Sequence, residues 1–580
     1  MIRLPDEEDV QYAKKQLVEK KKLAAIIGAV LILAVVFFTT DLVNYFNIIT
    51  QSTNKPELCP LYEPLAPESY LKDNSTLFTI LNDEKFRLQS VQKLAKAIQV
   101  DTQIGDDQPD VDDAPELWIQ FQDFHKYLED TFPVIYENLE VEYVNTYGLV
   151  YTWKGSNTAL KPLLLTAHQD VVPVQKDTLD DWTYPPFEGH YDGKFIYGRG
   201  SSDCKNVLVG ILESIELLIS KGYTPSRTVI AAFGFDEESS GRRGAYNIGK
   251  HLEKKWGKDS IYAILDEGPG LQKDPVTGQI IAAAATGEKG YTDVIVELTT
   301  PGGHSSVPPD HTSIGIMSEL AYIIERDPYS PIFTDQNPLL KYLQCLAVNS
   351  DKVPTLTKKA ILRAGFDKFA NGKVVEVISR RAETKYLIRT SQAIDIVKGG
   401  EKANALPENV KLTVNHRISV ETSSDEIHDH FTSRVIEVAK RHGLGVVSFG
   451  KKVFAGDGKS GVFVVSSSQS LESAPVSPSN DTVWKYLAAT TRHVFEDAVF
   501  TNLTYPIIVA PVVMPANTDT RHYWNLTRNI YRYSPFFSVD LIKDSHIHSV
   551  DERLRVDAHL QLIAFFYEYI QNIDTSESDN

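Results

Sequence analysis

The chain has 580 residues, 42% of them hydrophobic, and a formal charge of -18 at pH 7. That length and apolar content exclude a disordered polymer and suit several domains or one large enzyme with an insertion. The acidic balance excludes nucleic acid as a main partner, because phosphate binding needs clustered Lys and Arg. Three cysteines, Cys59, Cys204 and Cys345, without a C-x-x-C spacing exclude a disulfide scaffold or a cysteine-ligated zinc site, leaving one disulfide open and unpaired.

Residues 23–38 read LAAIIGAVLILAVVFF, and Thr39 and Thr40 extend the uncharged run to Asp41. At about 1.5 Å per residue, 18 residues span roughly 27 Å, close to a bilayer's hydrocarbon thickness. Lys14, Lys15 and Lys20 to Lys22 precede the run, whereas only Lys55 occurs in the next twenty residues. The positive-inside rule therefore keeps residues 1–22 cytosolic, makes 23–40 an uncleaved signal anchor and sends the rest to the lumen or exterior. Asn-x-Ser/Thr triplets at Asn74, Asn480, Asn502 and Asn525 become glycosylation acceptors on that topology.

Residues 41–115 are rich in Pro, Asn, Asp and Glu, with an amphipathic helix over 84–98, and read as a stalk and leading segment without chemistry. From 116 the pattern alternates: a helix over 118–128, strands over 141–144, 149–153 and 163–167, a helix over 207–220, then strands over 229–235 and 263–265. Such alternation predicts an α/β domain around a mostly parallel sheet covered on both faces. Its first part is 116–289. An inserted α+β lid over 290–472 follows, in which 410–420 alternates as a half-buried strand and 424–442 reads as an amphipathic helix. The α/β style resumes over 473–580, after a Ser- and Pro-rich passage, and ends in a helix over 551–569.

Ligand sites in such sheets form beyond the carboxyl ends of the strands. There the sequence places His168 and Asp170 in LLLTAHQD, Asp236, Glu237 and Glu238 in FGFDEES, and Asp266 and Glu267 in ILDEG. YGRGSSDCKN presents Asp203, and SHIHSVDE presents His546 and His548. Singly, each reads as solvated charge or a helix start. Together they place many carboxylates in one locality, which cations must neutralise, and zinc accepts such N and O ligands.

These motifs, with the Gly-Gly-His-Ser stretch around His304, resemble the di-zinc aminoacylase and carboxypeptidase family, in particular its fungal vacuolar members, over roughly 116–575. The resemblance implies two zinc ions, one held by His168, Asp203 and Asp266, the other by Asp203, Glu238 and His548. It also implies that Asp170 orients His168, Glu237 is the general base and His304 stabilises the oxyanion. Arg417 and Asn404 would grip a substrate carboxylate, leaving the roles within Thr518 to Arg521 open. His548 rather than His546 has the family's spacing to Asp551 and Glu552, which read as helix N-terminal residues, while Cys204 reads as buried packing.

The implied protein is a single-pass, lumen-facing zinc carboxypeptidase, of the vacuole, acting on short peptides with a free C-terminal carboxylate, in particular Gly-X. An N-acyl amino acid hydrolase or synthase, and less so a catalytically dead binding ectodomain, are the alternatives. The family's insert is also its dimer surface, across which the His304 counterpart can act. The stretch 331–400 is longer than in small members and is placed to cover that surface.

Overall fold

A computed structural model describes residues 7–539 and 541–579. The main sheet runs in the order Glu140–Val144, Gly148–Trp153, Val229–Gly234, Leu163–His168, Ala263–Asp266, Ile530–Arg532, Ile280–Glu288 and Ile508–Met514, with Leu271–Lys273 added on Ile280–Glu288. The four central strands from Val229–Gly234 to Ile530–Arg532 are parallel, but Gly148–Trp153 and Ile280–Glu288 flank them antiparallel. The sheet is therefore mixed rather than mostly parallel. Both antiparallel pairings join segments far apart in the chain, 148–153 with 229–234 and 280–288 with 530–532.

Leu163–His168 and Val229–Gly234 are buried at every position, which explains runs apolar on both faces. Helices Lys205–Ser220 and Val556–Asn572 pack together over one face, and Ala245–Trp256 covers the other. Parallel pairing brings the carboxyl ends at His168, Gly234 and Asp266 to one edge.

The lid is a six-stranded sheet, ordered Ser391–Gly399, Asn409–Ile418, Gly290–Thr299, Val462–Leu471, Gly445–Ser448 and Lys451–Phe454. Helices Ser313–Arg326 and Ser424–Arg441 bury its apolar side. Ser423 starts the second helix by accepting the Glu426 N–H. Part of the expected Ser-rich connector is the lid strand Val462–Leu471, whose alternating burial accommodates serines on the open face.

Three boundaries differ from the sequence reading. Helices Ser75–Asn82 and Glu84–Gln99 place Leu77, Ile80, Leu94 and Ile98 in the main core, so much of the supposed stalk is structural, its apolar stripe having a core to cover. Within the lid span, helices Pro338–Asn349, Thr355–Arg363 and Lys368–Ile378 form a separate cluster against the catalytic sheet edge at Ile508 and Ala510. They leave the lid's edge strand Ser391–Gly399 largely exposed rather than covered. The disulfide Cys59–Cys345 ties the segment after the N-terminal helix to this cluster. The final helix begins at Val556, because residues 553–555 pair with Phe195–Tyr197 as a strand.

Candidate metal centre

His168 ends its strand with a fully buried ring. Its Nδ1 lies 2.9 Å from the backbone oxygen of Asp170 and 3.4 Å from Asp170 Oδ1. A proton on Nδ1 would make the carbonyl the nearer acceptor and leave Nε2 facing the cleft. The Asp170 carboxylate also accepts the N–H groups of Glu237 and Glu238, at 3.1 and 3.0 Å. It therefore sets the two adjacent glutamates as well as the histidine.

His168 Nε2 is 3.1 Å from Asp203 Oδ1, and His548 Nε2 is 3.0 Å from Asp203 Oδ2. His548 also lies 3.2 Å from Glu238 Oε1. One carboxylate thus stands between two imidazoles. Two ligand groups share Asp203, one with His168 and Glu267, the other with Glu238 and His548. Cys204 Sγ falls within the first group's radius, but it is fully buried and accepts the His168 N–H at 3.4 Å.

Glu267 stands where the sequence expectation had Asp266. Glu267 Oε1 is 3.4 Å from His168 Nε2, whereas Asp266 is absent from both groups among the described residues and its Oδ2 is buried without a hydrogen-bond partner. Alternation along a strand sends neighbouring side chains to opposite sides, so only one of the two can face the cleft. The sequence carries no signal of which one does.

His548 is the histidine brought to the site. His546 instead lies with Nδ1 3.0 Å from Val550 O and Nε2 3.3 Å from Arg553 Nη2. Asp551 and Glu552 do not start a helix. Asp551 accepts the N–H and hydroxyl of Thr183, both at 2.7 Å. Glu552 is fully buried and accepts from the N–H groups of Gly200, Ser202 and Asp203 and from Arg199.

The electrostatics fit cations. Burial, with the charges of Glu267, Asp519 and Glu238 added, pushes the Glu237 carboxyl well above its ordinary range despite His168. Burial pushes Glu267 to about 8, with Asp203 the next contributor. Asp203 moves the other way: burial raises it, but hydrogen bonds to His168 and His548 hold it far below the usual carboxylate range. Hydrogen bonds to Asp203 and Glu238 raise His548 to about 10. Mutually repelling carboxylates around one bridge, with imidazoles at both ends, form a donor set suited to two N/O-liganded cations.

A cleft of about 860 Å³ opens over these residues and is also lined by Tyr291, Arg417, Asn517 and Arg521. Arg417 donates to Asn517 Oδ1 at 3.1 Å and lies 4.9 Å over the Tyr291 ring. The Thr518 to Arg521 turn is pinned from behind. Thr518 donates to Glu288 at 2.9 Å, and the fully buried Arg532 pairs with Glu288 at 2.8 Å. That turn buries Asp519 and puts Arg521 Nη2 3.5 Å from Glu237 Oε1. No role for Arg521, Asn517 or Tyr291 is legible in the sequence, since only the closing of lid on sheet brings them together.

His304 and Asn404 are not in this cleft. Gly303–His304 pairs with Ala405–Leu406 on the exposed lid rim, and Ser305 donates to Asn404 O at 3.3 Å.

A carboxylate shared by two His-containing ligand groups, with Glu237 alongside and in neither group, is the donor arrangement of a metal-dependent hydrolase. The chain belongs to the peptidase family M20/M25/M40, matched over residues 164–572. It is 42% identical to carboxypeptidase S of Saccharomyces cerevisiae over 519 residues, 89% of each chain. It is 32% identical to the mouse N-fatty-acyl-amino acid synthase/hydrolase PM20D1 over 459 residues, 78% of this chain and 82% of that one. Human carnosine dipeptidase 1 has the same fold at TM-score 0.57 and 15% identity, covering 88% of this chain and 99% of that one.

Proposed function

We propose that this protein is a metallocarboxypeptidase that removes the C-terminal residue of short peptides, in particular Gly-X, on the lumenal side of a membrane. The observation that carries this reading is the cleft itself, where Arg417 faces the same space as Glu237 and the two ligand groups. A planar guanidinium pairs bidentately with a carboxylate, so Arg417 selects a free chain end and presents the preceding peptide bond to Glu237.

His168, Asp203 and Glu267 would hold one zinc ion, and Asp203, Glu238 and His548 the other. Bound zinc supplies a Lewis acid for the scissile carbonyl and lowers the pKa of a coordinated water. Glu237 accepts the proton of the attacking water and returns it to the leaving amine. Arg521 lies against Glu237 Oε1 and holds that carboxylate in place.

The fatty-acyl relative supplies the competing substrate class. The cleft's remaining walls include Asp106, Asp107, Arg242 and Ser468 to Ser470, a polar lining that suits a short peptide better than a long acyl tail. Purified protein should hydrolyse Gly-Leu-type dipeptides faster than N-fatty-acyl amino acids and lose activity to a chelator. The reverse preference would overturn the peptide reading. Arg417→Ala should raise KM for Gly-Leu by about a hundredfold, a loss of roughly 2–3 kcal/mol for a charged hydrogen-bonded contact. C-terminally amidated peptides should feel little of this change, and an equal loss on them would remove Arg417 as the clamp.

His304 and Asn404 complete the site of a second copy in a homodimer formed through the lid, where His304 would stabilise the oxyanion. Co-expressed Glu237→Gln and His304→Ala chains should then regain about a quarter of wild-type activity, since half the random dimers carry one intact site of two. No recovery would place His304 outside catalysis in trans.

For topology, residues 23–40 are the membrane span, inside a helix apolar enough to cross a bilayer. A disulfide suits an oxidising lumen, and Asn74, Asn480, Asn502 and Asn525 are all exposed for glycosylation. The vacuole is the proposed destination. An endoglycosidase that left the protein's mobility unchanged would contradict this orientation.

A further inference from the structure

The helical cluster within the lid span has the opposite charge to the rest of the molecule. Residues 338–389 hold eleven Lys and Arg against four Asp and Glu, a formal +7 in a chain of -18. Lys352, Lys368, Lys373, Arg380 and Arg381 are exposed. So are three large apolar side chains, Phe366 at 72%, Val377 at 53% and Leu356 at 52%. Exposed apolar side chains among exposed cationic ones are the composition of a surface that meets anionic lipid.

This cluster is also where the anchor helix touches the body. Helices Thr355–Arg363 and Lys368–Ile378 pack against Glu7–Thr50, burying Ile48. Lys359 donates to Ile49 O, and Arg363 Nη1 lies 3.4 Å from Gln51 Oε1. Leu356, Lys359 and Arg363 share one face of their helix, and the Arg363 guanidinium lies 5.2 Å over the Phe366 ring. Beyond the apolar run, Asp41, Asn44 and Asn47 are partly covered and Ile48 is buried, a helical stripe beginning where that run ends.

We infer that the 338–389 cluster is a membrane-facing platform that lies on the anionic phospholipid surface around the protein's own anchor, with Leu356 and Phe366 entering the headgroup layer. The inference rests on the anchored reading above. The covered stripe begins at Asp41, where the apolar run ends, and reaches Thr50 about 15 Å further along the helix, so the near side of the cluster stands within a Debye length, about 8–10 Å, of the bilayer surface. The Cys59–Cys345 disulfide holds the platform to the chain leaving the anchor.

The test uses the full-length protein with Phe366→Cys carrying an environment-sensitive dye. Cys204 is buried and the other two cysteines are paired, so the new thiol alone is labelled. Single chains are placed in nanodiscs of phosphatidylcholine with or without about 30% phosphatidylserine, with a headgroup-level quencher in the lipid. Quenching at position 366 is expected in the anionic discs, with a loss of at least about tenfold near 1 M salt or after Lys352, Lys368, Lys373, Arg380 and Arg381→Glu. Val307→Cys on the lid, at a site 81% exposed, should stay unquenched.

A chain that stays in the disc with its label unquenched, or quenched equally in neutral lipid, overturns the platform. Quenching that needs two chains per disc assigns the face to a second copy and overturns it as well. Release of the chain from the discs by alkaline carbonate is a failure of the anchor reading instead.

Discussion

Glu237→Gln is expected to lower kcat by about 10²–10⁴-fold with both metal ions retained, the range for removing a positioned general base. Glu237 and Glu238 are neighbours in sequence, and the Asp170 carboxylate holds both of their N–H groups. Their side chains then part. Glu238 reaches His548 at 3.2 Å, inside a ligand group, while Glu237 reaches Arg521 at 3.5 Å and belongs to neither group. Glutamine keeps the shape and the contact geometry of Glu237 but cannot accept the water's proton. Glu238→Gln should instead weaken metal retention, so the adjacent pair separates chemistry from ligation. Single-turnover rates beside metal analysis make the comparison, and Glu237→Gln activity within tenfold of wild type would remove it as the base.

The sequence made legible those parts of the fold that repeat a local pattern. Continuous apolar runs in 163–167 and 229–235 marked strands covered on both faces, and the alternation in 410–420 marked a sheet with one open face; the strands found are Leu163–His168, Val229–Gly234 and Asn409–Ile418. His168, Asp203, Glu238 and His548, which the family resemblance picked out among several residues of ligand type, lie together in the two ligand groups. What stayed hidden depends on direction or on distant contact. Asp266 and Glu267 are equivalent letters until the alternation at the strand's end turns one of them to the cleft. The antiparallel flanks of the sheet and the separate helical cluster rest on long-range pairing that no local window contains. Glu552 looked like a helix start because its partners, Gly200 to Asp203, lie some 350 residues away.

That distant contact yields the second large effect. Glu552→Ala is expected to cost about 3–5 kcal/mol of stability, the range for breaking a buried ion pair by removing one partner. Its Oε2 lies 2.6 Å from Arg199, and its Oε1 gathers N–H groups at 3.0, 3.0 and 3.3 Å from Gly200, Ser202 and Asp203. Burial raises its carboxyl to about 7, Arg199 being the main opposing charge. The same residue follows a turn in which His546, His548 and Asp551 all have left-handed backbones, with φ of 53°, 61° and 59°. Such a turn persists only where its surroundings hold it. Glu552 thus fastens the segment carrying His548 to the loop carrying the bridge Asp203, and loss of that fastening should weaken metal binding by about 10–100-fold, as for other residues that support ligands from behind. Thermal unfolding of the metal-free protein measures the first effect and competition with a chelating dye the second. Glu552→Gln keeps the volume and one acceptor, and should recover part of the stability while leaving Arg199 without its counter-charge. Metal affinity unchanged in both variants would show that Asp203 and His548 hold their register without Glu552.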